Sequence, residues 1–137
     1  MPEALPIGED AGEKKKAQPF FDRGRTLAEI GSFDAAIDVF IQGLAFDPEN
    51  IEAHKALREA ALRRKAAGGK DLGFLEKRKL PRAKDNKRAM LNAEKLLAYD
   101  PGNVQHMESM TRAAGEGGLT EVSKWIGAIL RQAGDRP

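Results

Sequence analysis

The two histidines of the chain are its first candidates for catalytic or metal chemistry. His54 and His106 occupy nearly equivalent places, four and three residues after Asn50 and Asn103 respectively. A metal site or an acid–base site needs several converging ligands, and no group of ligands in the sequence is spaced for one. We therefore interpret both histidines as residues packed between neighbouring helices.

A glycine-rich stretch, GEGG at residues 115–118, is the second candidate because it precedes a helical segment. The N-terminus of a helix can bind an anion. The stretch lacks the preceding strand and the Lys-Ser/Thr pair of a phosphate-binding loop, so we interpret it as a turn. The chain has no cysteine, which excludes disulfides and thiolate catalysis. We predict a protein that is not an enzyme, with no catalytic residue, no metal and no cofactor.

Basic residues are concentrated in one segment of the chain. Residues 63–88 hold 11 Lys and Arg against three Asp and Glu, although the whole chain carries a net charge of only +2. The remainder of the chain is therefore acidic. The candidate contact residues of this basic segment are Lys70, Lys77, Arg78, Lys79, Arg82, Lys84, Lys87 and Arg88.

Three interpretations of the basic segment stay open. It could attract an acidic protein surface, attract nucleic acid through the phosphates, or form a solvated loop. Nucleic-acid binders commonly add aromatic side chains for stacking, and the segment offers only Phe74. We favour contact with a protein or peptide partner, which this charge predicts to be acidic, and keep a nucleic-acid accessory role as the alternative.

The elements that position these residues are predicted to be helices in one domain. A chain of 137 residues suits a single core. No apolar run is long enough to cross a bilayer, and residues 1–16 lack the apolar region of a secretory signal, so we expect a disordered leader on a cytoplasmic protein without membrane partners. Apolar spacings of three and four predict helices over residues 19–30, 33–46, 51–65, 81–98 and 104–114, and a last helix after Thr120.

A turn sequence occurs twice, as LAFDPENIEAH at residues 44–54 and LAYDPGNVQHM at 97–107. Proline cannot continue the preceding helix but fits the first turn of the next one, and Asn50 can cap that turn. Helix pairs that end in Asp-Pro-x-Asn resemble tetratricopeptide repeats, which have a period of about 34 residues. The resemblance covers residues 17–50 in register at Gly24, Leu27, Ala36, Phe40 and Pro48.

The resemblance implies an all-α fold, a right-handed superhelix of about three helix-turn-helix repeats. Asp47 and Asp100 are separated by roughly 19 residues more than one repeat period, and the surplus coincides with the basic segment. We therefore assign a repeat at 17–50, a second repeat with a basic insertion at 51–103, and a degenerate repeat at 104–137. Insertions of this kind project from one face of a helical-repeat array.

The family resemblance also implies a concave groove in which a partner protein or peptide binds. Phe21 and Ala56 stand where the family's chaperone-binding members need clamp residues, so we do not predict chaperone binding. The implied groove residues are Phe21, Asp22, Arg25, Glu29, Lys55, Glu59, Leu62, Arg63, Glu108, Ser109 and Arg112.

The last predicted helix has an apolar arc too wide for one contact. It comprises Trp125, Ile126, Ile129 and Leu130. We expect part of this arc to meet another chain, including a second copy of this one, or a continuation of this chain. The alternative is that Phe74, Leu75 and Leu80 fold back over it.

From the predicted fold, groove and basic segment we expect a non-catalytic interaction or scaffold module. It would bind its partner through the groove and the basic segment.

Overall fold

The computed structural model describes the backbone of residues 4–134 and the side chains of residues 11–134. Its secondary structure is entirely helical within residues 4–134, which confirms the all-α prediction. The helices are α1 (Ala4–Glu29), α2 (Phe33–Phe46), α3 (Ile51–Ala66), α4 (Phe74–Arg78), α5 (Asn86–Tyr99), α6 (Val104–Glu116) and α7 (Thr120–Gly134). The short α4 was not predicted, and α5 begins at Asn86 instead of residue 81.

The first helix is longer than predicted and includes most of the expected leader. α1 continues from Ala4 through Pro19 to Glu29, so the disordered leader is wrong for residues 4–16, and residues 1–3 lie outside the described part. Residues 11–18 are mainly Ala, Glu, Lys and Gln, which are strong helix formers. Ala17 is fully buried, and the Lys16 ammonium lies 6.0 Å from the centre of the Phe46 ring. These contacts join the start of α1 to the end of α2.

The duplicated turn has the same hydrogen bonds in both copies, which explains why its residues recur. In the first copy, Asn50 Oδ1 accepts a hydrogen bond from the Ala53 amide at 3.0 Å, and Asn50 Nδ2 donates to Asp47 at 3.1 Å. In the second copy, Asn103 accepts from the His106 amide at 2.9 Å and donates to Asp100 at 3.0 Å. Each asparagine therefore caps a helix and also fixes the aspartate that ends the previous one.

The contact between α1 and α2 depends on two small residues. The helices are antiparallel, since Phe20 stacks on Phe46 with ring centroids 5.8 Å apart while Leu27 and Ser32 are joined at the opposite turn. A Cβ atom added at Gly24 would lie 2.9 Å from the Phe40 ring, and one added at Gly43 would lie 2.5 Å from the Phe21 ring. Glycine at these positions lets each phenylalanine ring lie against the facing backbone.

α5 runs antiparallel to α2. Near the start of α2, Asp38 Oδ1 lies 3.2 Å from Lys95 Nζ, and near its end the Ala45 carbonyl accepts a hydrogen bond from Lys87 Nζ at 2.8 Å. α3 is also antiparallel to α2, because the Arg63 guanidinium lies 5.2 Å from the centre of the Phe33 ring. α3 and α5 therefore run in the same direction.

Contacts between α3 and α5 agree with this direction. His54, near the start of α3, pairs with Glu94 at 2.7 Å, whereas Arg64, near its end, lies 4.3 Å from the ring of Tyr99. A repeat with a simple insertion would instead place its two helices antiparallel to one another. Residues 67–85 are thus a crossover connection, which returns the chain to the side where α3 began. We call this segment the crossover.

The crossover changes the packing of the second half of the chain. α6 contacts α5 and α7, and α3 contacts both α5 and α7, so these four helices form a closed ring. α7 lies parallel to α3, with Trp125 beside His54 at one end and Ile129 beside Leu62 at the other. One buried cluster joins the two halves, with Ile37 and Phe40 from α2, Leu57 from α3 and Met90 from α5 among its members.

Candidate interaction surfaces

The crossover is held against the helices by a hydrogen bond near its end and by an apolar contact near its start. Asn92 Nδ2, on α5, donates to the Pro81 carbonyl at 2.7 Å, and Leu72 packs against the buried core. Lys77 Nζ lies 3.1 Å from Asp71, and Lys79 Nζ lies 3.3 Å from Glu76. The crossover is therefore an anchored surface element with a short helix, α4, at its centre.

Two large apolar side chains project from the first turn of α4. Phe74 is 72% exposed and Leu75 is 69% exposed. The Arg78 guanidinium lies 5.4 Å from the centre of the Phe74 ring. Exposed basic residues surround this pair in the sequence, namely Lys70, Lys79, Arg82 and Lys84. We call Phe74, Leu75 and these cations the basic tip.

The acids of the same segment cancel only part of the charge of the basic tip, because just one of the cations named above, Lys79, is paired with an acid of the segment. Asp71 and Glu76 each pair with a lysine, and the Asp85 side chain accepts a hydrogen bond from the Arg88 amide at 2.8 Å to cap α5. Each acid of the segment is therefore occupied within it. Of the remaining predicted contact residues, Lys87 is exposed and reaches the end of α2, whereas Arg88 is half-buried.

The structure contradicts the alternative that Phe74, Leu75 and Leu80 fold back over the last helix. Phe74 and Leu75 are exposed, and Leu80 lies at a cavity lined by α2 and α5, so these residues do not cover α7. The apolar arc of α7 is instead used within the chain. Ile126 is fully buried, so its assignment to an interface with another chain is wrong, while Trp125, Ile129 and Leu130 are half-buried against the core. The physical reason is that α7 packs on α3 as well as on α6.

One of the predicted groove residues does not lie at the surface. Phe21 is only 1% exposed and packs in the core beside Gly43, so its assignment to the groove is wrong. The close approach of α2 to α1 at Gly43 draws this ring inward. The remaining groove residues are exposed on their separate helices: Asp22, Arg25 and Glu29 on α1, Lys55, Glu59, Leu62 and Arg63 on α3, and Glu108, Ser109 and Arg112 on α6.

A cleft of about 550 Å³ between α3, α6 and α7 includes one of these groove residues, Leu62. The Arg58 guanidinium crosses its edge and donates to the Pro101 carbonyl at 3.2 Å. No acidic side chain lines the cleft within the described residues. Its lining residues are Arg58, Leu62, Lys65, Pro101, Gly102, Val104, Met107, Ile129, Gln132 and Ala133.

A buried ion pair lies where α3, α5 and α7 meet. His54 Nδ1 and Glu94 Oε2 are 2.7 Å apart, and His54 Nε2 donates to the Pro48 carbonyl at 2.7 Å. Burial lowers the pKa of His54, but the Glu94 carboxylate and both hydrogen bonds raise it by more, so the pKa lies above its ordinary value of 6.5. Glu94 Oε1 is buried without a hydrogen-bond partner among the described residues. The pair supports a helix junction, and Glu94 lines a small cavity of about 10 Å³ between the helices that meet there.

Sequence reasoning placed His54 correctly in a helix contact but missed Glu94. A signal was present, since Glu94 stands on the apolar face of α5 beside Met90, Ala93 and Leu97. A carboxylate on such a face needs a partner, and His54 is the titratable group on the facing helix. His106 is half-buried on α6, where burial lowers its pKa.

In the part of the chain that the structure describes, no three His, Asp or Glu side chains are grouped to bind a metal ion. None of the helices over residues 4–134 has the length and apolar composition that a bilayer span requires. Comparison of the chain with protein-family models, curated protein sequences and solved structures found no match.

Proposed function

We propose that this protein is a non-catalytic interaction module of the cytoplasm, and that its basic tip binds an acidic segment of a partner protein. The observation that carries the proposal is the exposure of the adjacent side chains Phe74 and Leu75 in a segment whose Lys and Arg residues are mostly exposed. The relation to tetratricopeptide repeats remains part of this proposal, and it rests on the residues of 17–50 and on the duplicated turn.

A contact that uses both the apolar side chains and the cations of the basic tip is energetically favourable. Burying an exposed Phe or Leu side chain contributes about 1.5–3 kcal/mol, so the pair can serve as the central anchor of an interface. The flanking cations increase the rate of association with an acidic partner and select against basic ones. The anchored crossover reduces the ordering cost of binding, because Asn92 and Leu72 already hold its two ends.

The same geometry argues for a protein partner over nucleic acid. Single-stranded nucleic acid is bound by several aromatic rings on which successive bases stack. Phe74 is the only aromatic residue of the crossover, and Arg78 lies against its ring. Leu75 offers no stacking surface, but it suits an apolar pocket on a protein.

The cleft between α3, α6 and α7 offers a second contact for the same partner. It combines exposed Leu62 and Val104 with the cations Arg58 and Lys65. An acidic segment with apolar side chains fits this lining for the same reasons as it fits the tip. We propose that this cleft serves as the partner-binding groove that the resemblance to tetratricopeptide repeats implies.

The test is peptide selection from a random phage-displayed library on the immobilised chain. We expect selected peptides to combine Asp and Glu with large apolar residues. Synthetic copies should bind in fluorescence anisotropy, and binding should weaken by roughly tenfold or more in the Phe74→Ala, Leu75→Ala variant. Ile30→Ala is the matched control, because Ile30 is 70% exposed at the end of α1, outside the crossover.

A fluorescent single-stranded RNA is the competing probe in the same assay. Binding of that RNA with a steep salt dependence, in the absence of any selected acidic peptide, would support the nucleic-acid alternative instead. Selected peptides whose affinity is the same for the chain and for the Phe74→Ala, Leu75→Ala variant would show that the basic tip is not the contact surface.

A further inference from the structure

A second cavity lies beneath the crossover, between α2 and α5. Its volume is about 360 Å³, within the range of small-molecule sites in proteins. Ile41 forms an apolar part of its wall, with fully buried Leu91 behind it, and Leu80 and Pro81 of the crossover cover it. The cavity exists because the crossover passes across α2 and α5 on its way to the start of α5, so its walls come from three separate parts of the chain.

Charged residues around this cavity are paired, with one exception. Asp38 lies 3.2 Å from Lys95, and Glu76 lies 3.3 Å from Lys79. Arg88 lines the same cavity, and its guanidinium has no ion-pair or hydrogen-bond partner among the side chains of residues 11–134. A half-buried guanidinium at the wall of a cavity is a strong recognition group for a planar anion, because its N–H groups match both oxygens of a carboxylate.

The crossover also orients a second polar group at the cavity, the side-chain amide of Asn92. Asn92 Nδ2 donates to the Pro81 carbonyl at 2.7 Å, which orients the side-chain amide at the cavity wall. The amide oxygen of Asn92 accepts no hydrogen bond from the described residues, so it is available to an N–H or O–H donor of a ligand. Arg88 and Asn92 lie four residues apart on α5 and therefore share a face of that helix.

We propose that this cavity binds a small organic monocarboxylate with an apolar body. The carboxylate pairs with Arg88, the apolar part contacts Ile41 and Leu80, and a donor group on the ligand bonds to Asn92. A dianion such as phosphate fits less well, because Lys95 and Lys79 already pair with Asp38 and Glu76, so Arg88 alone is left to neutralise one negative charge. This site uses neither Phe74 nor Leu75, so its test is separate from that of the proposed partner contact, although Lys79 belongs to both surfaces.

The test is a titration of the ¹⁵N-labelled full chain, followed by amide chemical shifts. The probes are 4-methylpentanoate, its neutral analogue 4-methylpentanamide, and inorganic phosphate. We expect the carboxylate to shift the amides of residues 41, 80, 88 and 91, and to bind more tightly than the amide analogue. Arg88→Gln should weaken carboxylate binding by roughly tenfold or more, the usual cost of losing a charge-assisted hydrogen bond.

Two further variants keep the experiment decisive. Gln42→Glu adds a negative charge to the cavity wall and should weaken the carboxylate while leaving the neutral amide unchanged. Arg131→Gln, exposed on α7, is the matched control and should change neither. The proposal is overturned if the carboxylate and the amide bind alike, if phosphate binds more tightly than the carboxylate, or if Arg88→Gln retains full affinity.

Discussion

Replacing Glu94 alone should destabilise this protein far more than replacing Glu94 and His54 together. Glu94→Met leaves the His54 ring fully buried with no acceptor at Nδ1, where the carboxylate now lies at 2.7 Å. Removing one member of a buried pair typically costs about 3–5 kcal/mol. Typical domains have a total stability of only about 5–15 kcal/mol, so the single variant should unfold at a much lower urea concentration.

The double variant His54→Leu, Glu94→Met should recover most of this loss. Apolar residues of similar volume remove both desolvation costs, and such replacements of buried pairs are often neutral or stabilising. The junction is already largely apolar, with Leu57, Leu97, Met110 and Ile126 around a small cavity beside Glu94. The double variant should therefore have a stability close to that of the natural chain, with a coupling energy of about 2 kcal/mol or more between the two positions.

Stability should also decrease toward alkaline pH in the natural chain. The folded-state pKa of His54 lies above 6.5, so the native state holds a proton that the unfolded state has released. The contribution of the pair is complete below about pH 6.5 and is lost as the pH rises through the folded-state pKa. The unfolding free energy falls by at most about 1.4 kcal/mol per pH unit in that window. The double variant should lack this dependence.

Urea unfolding monitored by circular dichroism and tryptophan fluorescence would measure both effects. Trp125 is the only tryptophan, and its ring centroid lies 6.1 Å from that of His54, so fluorescence reports on this junction. A cost below about 1 kcal/mol for Glu94→Met would refute the reasoning, since it would equal an ordinary surface hydrogen bond. An alkaline loss of stability that persists in the double variant would assign the titration to another group.

Two further predictions concern helix packing and caps, and thermal unfolding measures both. Gly43→Ala should lower stability by about 1–3 kcal/mol, because the new methyl group overlaps the Phe21 ring. Gly12→Ala is the control. It has open space around it in α1, so the substitution should cost no stability. Asn50→Ala and Asn103→Ala should each cost about 1 kcal/mol, since each removes a helix cap; a loss at only one turn would contradict their equivalence.

Local sequence patterns predicted the helices, because the formation of each helix depends on residues that are close together in the sequence. Periodic apolar positions located α2, α3 and α7, and the Asp-Pro-x-Asn turn located two helix starts with their caps. The start of α1 was missed because the charge of its first residues suggested a leader, whereas Ala, Glu and Lys also favour helix.

The direction of α5 could not be predicted in the same way. It depends on contacts between distant residues, such as Lys95 with Asp38 and Glu94 with His54. The length of the extra segment was visible in the sequence, but its path was not. For the same reason the cavity beneath the crossover was not predicted, while the cations of the basic tip were. The exposure of Phe74 and Leu75 follows from the path that the crossover takes.

The crossover also limits how such a chain can change its length during evolution. α5 has 14 residues and spans about 21 Å, so a connection that joins its start to the end of α3 needs at least about six extended residues. A shorter connection would make α5 turn back along α3, as in an ordinary helix hairpin. Deletions in residues 67–85 that make the connection too short would therefore reverse the direction of α5 relative to α3. A second domain with the same helix sequences could then differ from this one in topology because of loop length alone.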